Sequence, residues 1–470
     1  MIKVSKKDIY WGYFAQIFSV ASGLVTLPLI LKLLSAEEIG MNYLMLTLGA
    51  LVALFDFGFT PQFSRNITYV FSGAQVLRKE GLSVSESGII NYRLLATMIH
   101  TAKFVYRRLA LIVFLVLLSL GTIYIYYVTN GFTNIDNSLS IWLLFSVGTF
   151  FNIFYAYYAS LLIGKGLIMQ SKKALVYSRL VYIILTFVFL YSGLGLMGVV
   201  LANLIAPFVN RYISYHYFFT NELNEKINGF DISKKEKVEL FEIVWYNAKK
   251  LGLVFVGSYA INKLSIFLAG LFLSLAEIAS YGLMIQLFGL LSMVSGMFFG
   301  VFQPRFASLR SKGDNKTLVR EFAFSMNIYY LTFIVGSIFL LYFGPYLLSL
   351  ISSNVILPST TIVFLFAIIL FLEGNHSNFA TLIVTNNNVP FVKSALIAGF
   401  FIGLGDYISL RYTGYGILGL VLVQGLVQIA YANWKWPLVV FNDFQINFKA
   451  FLLLGMNESF NRLKLQLYGR

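Results

Sequence analysis

The sequence predicts an all-α polytopic membrane protein of about twelve transmembrane helices, set in two parallel six-helix lobes around a central cavity. Three observations predict it. Charged residues make up 12% of the 470 and hydrophobic residues 58%, whereas soluble domains carry about 25% charge. Residues 9–31, 109–135, 137–164, 180–210, 278–304 and 412–434 contain no Asp, Glu, Lys or Arg, and each run exceeds the roughly 20 residues a helix needs to cross a bilayer. Finally, SAEEIGMNYLM at 35–45 returns as SLAEIASYGLM at 274–284, which marks a duplicated half.

Apolar runs bounded by turn signals place the spans in order. The first, near 10–33, follows the basic MIKVSKK; no small-residue cleavage site follows a short apolar stretch, so it reads as a retained helix. The second, near 41–63, contains LVALFDFGFTPQFSRN, with Asp56 in apolar surroundings and Pro61 after it. Pro61 lacks the amide that would bond the carbonyl of Phe57, so the helix is expected to bend or end there. An insertion at about 67–107 precedes the third span, near 108–128. Its second part gathers Leu94, Leu95, Met98, Ile99, Ala102 and Val105 on one side, with Arg93, His100, Lys103, Arg107 and Arg108 on others. That pattern is expected to lie as an amphipathic helix on the cytoplasmic membrane surface.

Spans four to six follow near 140–164, 174–193 and 195–217, completing an N-terminal lobe over 1–217. Residues 218–246, NELNEKINGFDISKKEKVEL at their centre, are a charged cytoplasmic linker. The C-terminal lobe, 247–440, holds spans near 247–272, 278–303, 325–350, 358–384, 391–410 and 415–438. Gly344-Pro345 and Ser352-Ser353-Asn354 divide the long uncharged run 322–372 between two of these. Residues 441–470 form a cytoplasmic tail.

All but five of the 35 Lys and Arg (Lys32, Arg179, Arg211, Lys263 and Arg411) fall in the termini and the even-numbered connections. Lysine and arginine bias sets orientation, so both termini are expected in the cytoplasm and the chain is expected as a multi-pass inner-membrane protein. The net charge of +15 is then topology and attraction to anionic membrane lipid, and nucleic acid is not an expected partner. The chain has no Cys and three His, which leaves no disulfide framework, catalytic thiol or metal site, and no cofactor is implied.

The opening GYFAQIFSVASGLVTLPLILKLLSAEEIGMNYLMLTLGALVALFDFGFTPQFSRN resembles the bacterial O-antigen and capsule repeat-unit flippases (the Wzx type). These belong to the multidrug/oligosaccharidyl-lipid/polysaccharide exporter superfamily. The likeness lies in the LPLILKLLS end of the first helix, the EEIG turn, DFGF followed by Pro61 and Arg65, and the amphipathic insertion. It covers the first 110 residues well; elsewhere it rests on helix number and the repeat at 274–308. The resemblance implies a non-enzymatic transporter that moves undecaprenyl-diphosphate-linked oligosaccharide to the periplasmic leaflet by alternating access. Its expected partners are that lipid-linked oligosaccharide, membrane lipid, a proton or sodium ion, a polysaccharide polymerase and a chain-length regulator. A drug exporter of the same superfamily and a peptidoglycan-precursor flippase are the rival readings. The latter type carries two extra helices for which this chain has no room.

Ionisable groups inside spans are functional candidates by default. Lys263, Arg179 and Arg211 are candidates for the substrate cavity, with Arg305 of Pro304-Arg305-Phe306-Ala307-Ser308, the repeat's counterpart of Pro61-Gln62-Phe63-Ser64-Arg65. Asp56, Glu373 and His376 are candidates for coupling or for lining the lumen; no catalytic residue is assigned. Each has a plainer alternative. Asp56 could bond a neighbouring helix or the Arg65 region, Lys263 could pair with Glu373, and Arg179 and Arg211 could snorkel to the cytoplasmic surface. Lys32, Asp406 and Arg411 lie nearer the outer helix ends.

Overall fold

Ser35 and Ser274, the first residues of the repeated motif, are helix caps. Each hydroxyl accepts the amide three residues on, and the carboxylate of that residue, Glu38 or Glu277, accepts the serine's own amide at 2.9 Å. Reciprocal capping of this kind satisfies two donors that a helix start leaves open. Ser5 and Asp8 build a third such box.

The computed structural model describes residues 5–79, 89–385 and 390–468. Residues 80–88 of the expected amphipathic insertion, 386–389 of a basic connection and the extreme termini lie outside the described residues. The chain folds as two compact units, Met1–Val256 and Gly257–Arg470. The first contains α1 (Lys6–Leu33), α2 (Ala36–Ala53), α3 (Phe59–Phe71), α4 (Tyr92–Val116) and α5 (Thr122–Val128). It continues with α6 (Ser138–Phe154), α7 (Tyr157–Gly164), α8 (Ile168–Tyr191), α9 (Gly195–Phe218), α10 (Asn221–Ile227) and most of α11 (Lys234–Asn262). The second holds α12 (Leu264–Ala269), α13 (Leu275–Ser311), α14 (Asn315–Leu350) and α15 (Thr360–Val384). It ends with α16 (Val392–Tyr412), α17 (Gly416–Ala430), α18 (Ala432–Phe444) and α19 (Phe448–Tyr468).

Eleven helical segments among the described residues are long and apolar enough to cross a membrane. The stretch expected as the seventh of about twelve spans is not among them. α11 carries charge as far as Lys250 and stops at Asn262; Lys263 leaves helical geometry (φ −133°, ψ −21°) before α12 resumes.

The expected insertion and the expected tail both hold helices that pack on other parts of the protein. α4 begins at Tyr92 and continues through a wide turn, Leu117–Gly121, into α5 as one 37-residue segment. Its stripe of Leu95, Met98, Ile99, Ala102 and Val105 is buried against Leu223 and Ile227 of α10 and Leu240 and Val244 of α11. Burying a Leu or Ile side chain is worth about 1.5–3 kcal/mol, so apolar surface on α10 and α11 claims the stripe. Nearby, Arg93 Nε donates to Glu236 at 2.9 Å; with the Ser233 amide and hydroxyl it holds the Glu236 carboxyl down to about 2. In the second unit α19 docks on α14. Phe451 is buried among Phe322, Phe379 and Phe441, and Asn327 donates to Ser459 at 2.9 Å. Gly455 lies so close to the Ala323 carbonyl that a Cβ there would stand 2.5 Å from its oxygen.

Candidate functional site

In the N-terminal unit the helix begun by Ser35 ends in a 3-10 turn, Leu54–Asp56, and Phe57 (φ 44°) and Gly58 (φ 78°) are both left-handed. Glycine is required at the second of these, because a Cβ on Gly58 would lie 2.7 Å from that of Leu251. The interruption therefore falls at Phe57–Gly58 and not at Pro61. Pro61 sits in the first turn of α3, where a helix needs no amide hydrogen bond.

Asp56 stands at the N-terminal end of α3, where a negative charge is favoured. Its carboxylate accepts the Thr60 amide (3.2 Å), the Thr60 hydroxyl (2.8 Å) and the Tyr106 hydroxyl of α4 (2.7 Å). Arg65 does not reach it and donates to Gln62 at 2.5 Å. Asp56, Thr60 and Tyr106 line a cavity of about 470 Å³, together with Asn42, Asn152 and Asn203. A second cavity, of about 330 Å³, shares Asn152, Ala156 and Asn203 with the first and adds Arg179, Tyr182, Asn210 and Arg211.

Arg211 does not snorkel. It is 8% exposed, donates through Nη2 to Asn152 Oδ1 at 2.7 Å, and lies over the rings of Phe208 (4.3 Å) and Tyr155 (5.1 Å). Its Nη1 is buried without a hydrogen-bond partner. Guanidinium stacking on aromatic faces fixes the plane of the donors. The structure thus brings Asp56, Arg179 and Arg211 into one unit, on adjoining cavities that meet at Asn152 and Asn203.

In the C-terminal unit Lys263 and Glu373 line one cavity of about 340 Å³ with Asn262, Tyr281, Ser377 and Gln424. They do not form an ion pair: Glu373 accepts from Gln424 Nε2 at 3.0 Å, and Lys263 has no ion-pair partner among the described residues. His376 lines a neighbouring cavity of about 210 Å³ and bonds Asn433 Oδ1 through Nδ1 at 2.7 Å. Between them, Gly374 leaves room for the Tyr329 hydroxyl, and Asn375 accepts from Tyr330 at 2.6 Å. The Glu-Gly-Asn-His run thereby contacts α14, α17 and α18.

Arg305 lines none of these cavities. Its Nη2 meets Glu321 Oε1 at 2.7 Å, and Arg462 of α19 meets the other Glu321 oxygen at 2.8 Å. Glu321 is 2% exposed, so two guanidiniums pair with one buried carboxylate, Arg305 through a hydrogen bond and Arg462 as an ion pair. Asn152 and Asn203 carry the site and were not singled out from the sequence. They are uncharged, in FFNIF and LANLI; polar residues at cavity-facing positions of apolar spans would have been the signal.

The sequence matches no family model and no curated protein significantly. Solved structures do resemble it. One is the inward-facing conformation of a multidrug resistance MATE family transporter of the MOP superfamily, 13% identical over 92% of this chain and 95% of that one, TM-score 0.64. Another is the lipid II flippase MurJ in an inward closed conformation, 14% identical over 98% and 93%, TM-score 0.62. An outward-facing MATE transporter of the MOP superfamily follows at 15% identity over 94% and 95%, TM-score 0.52. Eleven apolar helices, two compact units and these likenesses give the chain the two-lobed, all-helical fold that these membrane proteins share.

Proposed function

We propose that the protein flips undecaprenyl-diphosphate-linked oligosaccharide repeat units from the cytoplasmic to the periplasmic leaflet of the inner membrane, for O-antigen, capsule or exopolysaccharide assembly. What supports this reading above all is the lining of the cavity at Arg179 and Arg211. Guanidiniums, the amides of Asn152, Asn203 and Asn210, and the rings of Tyr155, Tyr158 and Tyr182 line it, and no carboxylate does. Arginine suits diphosphate, and amides with phenol rings suit sugar hydroxyls. A cationic drug would find no counter-charge there. Lys263 adds a second cationic contact for phosphate or acidic sugars, while Asp56, Glu373 and His376 serve coupling to a proton or sodium ion. Delivered repeat units then pass to a polysaccharide polymerase and its chain-length regulator.

The test reconstitutes the protein in liposomes and follows a fluorescent polyprenyl-diphosphate oligosaccharide across the bilayer. Arg211→Ala and Arg179→Ala should each slow flipping by about tenfold or more, the loss expected when a charge-assisted contact is removed. Unchanged flipping in both, or protein-dependent movement of a cationic drug in place of the lipid, overturns the reading. Orientation is tested separately on the Cys-free background. Asn134→Cys and Ser353→Cys should react with an impermeant thiol reagent from outside, and Ser233→Cys and Asn315→Cys should not.

A further inference from the structure

Asp406 of α16 is fully buried, and neither carboxylate oxygen makes a hydrogen bond. Glycines bring it there. A Cβ on Gly399 would stand 2.5 Å from that of Ala260 in α11, and one on Gly403 would stand 2.6 Å from Leu264 Cδ2 in α12. Asp406 follows one turn later on the same face of α16. The hydroxyl of Ser265, on α12, lies beside its carboxyl, and the Tyr281 hydroxyl of α13 lies beside Ser265. Ser265 Oγ is also buried without a hydrogen bond. Ser265 and Tyr281 both line the cavity that holds Lys263 and Glu373. Both residues therefore belong to the wall of that cavity and lie beside the buried carboxyl.

No cation pairs with Asp406 among the described residues. α12 and α17, which pack on α16, contain no ionisable side chain, and the buried polar groups of α17 are Gln424 and Gln428. On α13 the acid is Glu277, engaged with Ser274; Lys263 precedes α12, and Tyr407 and Arg411 of α16 itself are exposed. A buried carboxylate without a protein partner is strongly disfavoured, and the neutral acid relieves the penalty. One carboxyl and two hydroxyls offer too few oxygens to cage a metal cation, and no cluster of three His, Asp or Glu exists among the described residues.

We propose that Asp406 is a proton-binding site of the C-terminal unit, and that rotation of the Ser265 hydroxyl, which makes no hydrogen bond as it stands, links it through Tyr281 to the cavity of Glu373 and Lys263. The ion arrives and leaves as a proton, so no co-reactant is needed. The inference names the coupling ion of the proposed transport and in that respect rests on it, but its first test requires no substrate. Dicyclohexylcarbodiimide modifies protonated carboxyls in apolar settings. In the purified full-length protein, mass spectrometry should find an adduct on Asp406 several times more abundant at acid than at alkaline pH, unaffected by sodium chloride. Absence of the adduct across the pH range, or its suppression by sodium at constant pH, overturns the proposal.

The second test is functional. An imposed proton gradient should accelerate lipid flipping by the native protein and leave Asp406→Asn at its gradient-free rate. Equal acceleration of Asp406→Asn overturns the proposal. Should that variant fail to fold, Ser265→Ala must keep the adduct and lose most of the acceleration; full acceleration there also overturns it. If the cargo proves to be a drug, the adduct remains while lipid flipping is absent, so the two readings fail separately.

Discussion

The two units share a sequence motif at the start of their second spans and interrupt different helices. In the N-terminal unit the first span, α1, runs unbroken for 28 residues, and the second breaks at Phe57–Gly58. In the C-terminal unit the first breaks at Lys263, and the second, α13, runs unbroken for 37 residues with Pro304 inside it. The helix starts match and the breaks do not. Each break sets a charge beside a cavity, Asp56 in one unit and Lys263 in the other. A broken helix frees backbone groups that lipid cannot satisfy, so it is tolerated where a polar cavity lies alongside. The signs are opposite: the acid holds the Thr60 and Tyr106 hydroxyls, and the lysine has no ion-pair partner among the described residues.

That contrast can be broken most forcefully at Lys263. Lys263→Glu should abolish flipping with the protein still inserted, Lys263→Ala should remove most of it, and Lys263→Arg should retain it. Because Lys263 and Glu373 share a cavity without pairing, Lys263→Glu combined with Glu373→Lys should not rescue; rescue in the liposome assay would make the pair structural. Next comes the other break. Gly58→Val forces a branched side chain into a left-handed position against Leu251, at a cost of about 1–3 kcal/mol, read as a lower melting temperature in detergent. Gly300→Ala in the unbroken α13, where a Cβ would meet nothing within 4 Å, should instead stabilise by up to about 1 kcal/mol. A matching loss at both glycines would erase the difference between the units.

Asp56→Asn should keep the fold, since the amide oxygen can still accept from Thr60, yet lower transport. Asp56→Ala should also lose about 1 kcal/mol of stability through the missing helix-start acceptor. Normal transport by Asp56→Asn would reduce Asp56 to a cap. The smallest expected effects are at the shared motif. Ser35→Ala and Ser274→Ala should each cost about 1 kcal/mol, and unequal losses would show that the matching caps are not equivalent.

The helical class, the repeat and most spans were legible because charge-free runs and capping residues are local signals. The break at Lys263 was not. Nothing in AINKLS resembles a glycine or proline interruption, and the neighbouring helices decide the conformation there. The stripe of α4 was legible as apolar, but periodicity alone does not say whether lipid or protein covers it; α10 and α11, far along the chain, settle that. A search for ionisable residues found Asp56, Lys263 and Glu373 on cavity walls. It passed over Asn152 and Asn203, and it placed Arg305 by motif where the structure pairs it with Glu321.

The interruption at Lys263 also bears on how the chain enters the bilayer during synthesis. A lysine at the centre of a span adds about 2.5–3.5 kcal/mol to the work of releasing it into lipid, and Lys249 and Lys250 lie at the start of the same stretch. α13, uncharged from 278 to 304, faces no such barrier. The stretch around α12 should therefore wait at the insertion channel until α13 and α16 can cover it, which makes biogenesis of the second unit cooperative. Nascent chains cut after residue 275 should leave the stretch open to protease, and chains extended past residue 415 should protect it. Protection in the shorter chains would show that the stretch inserts without help.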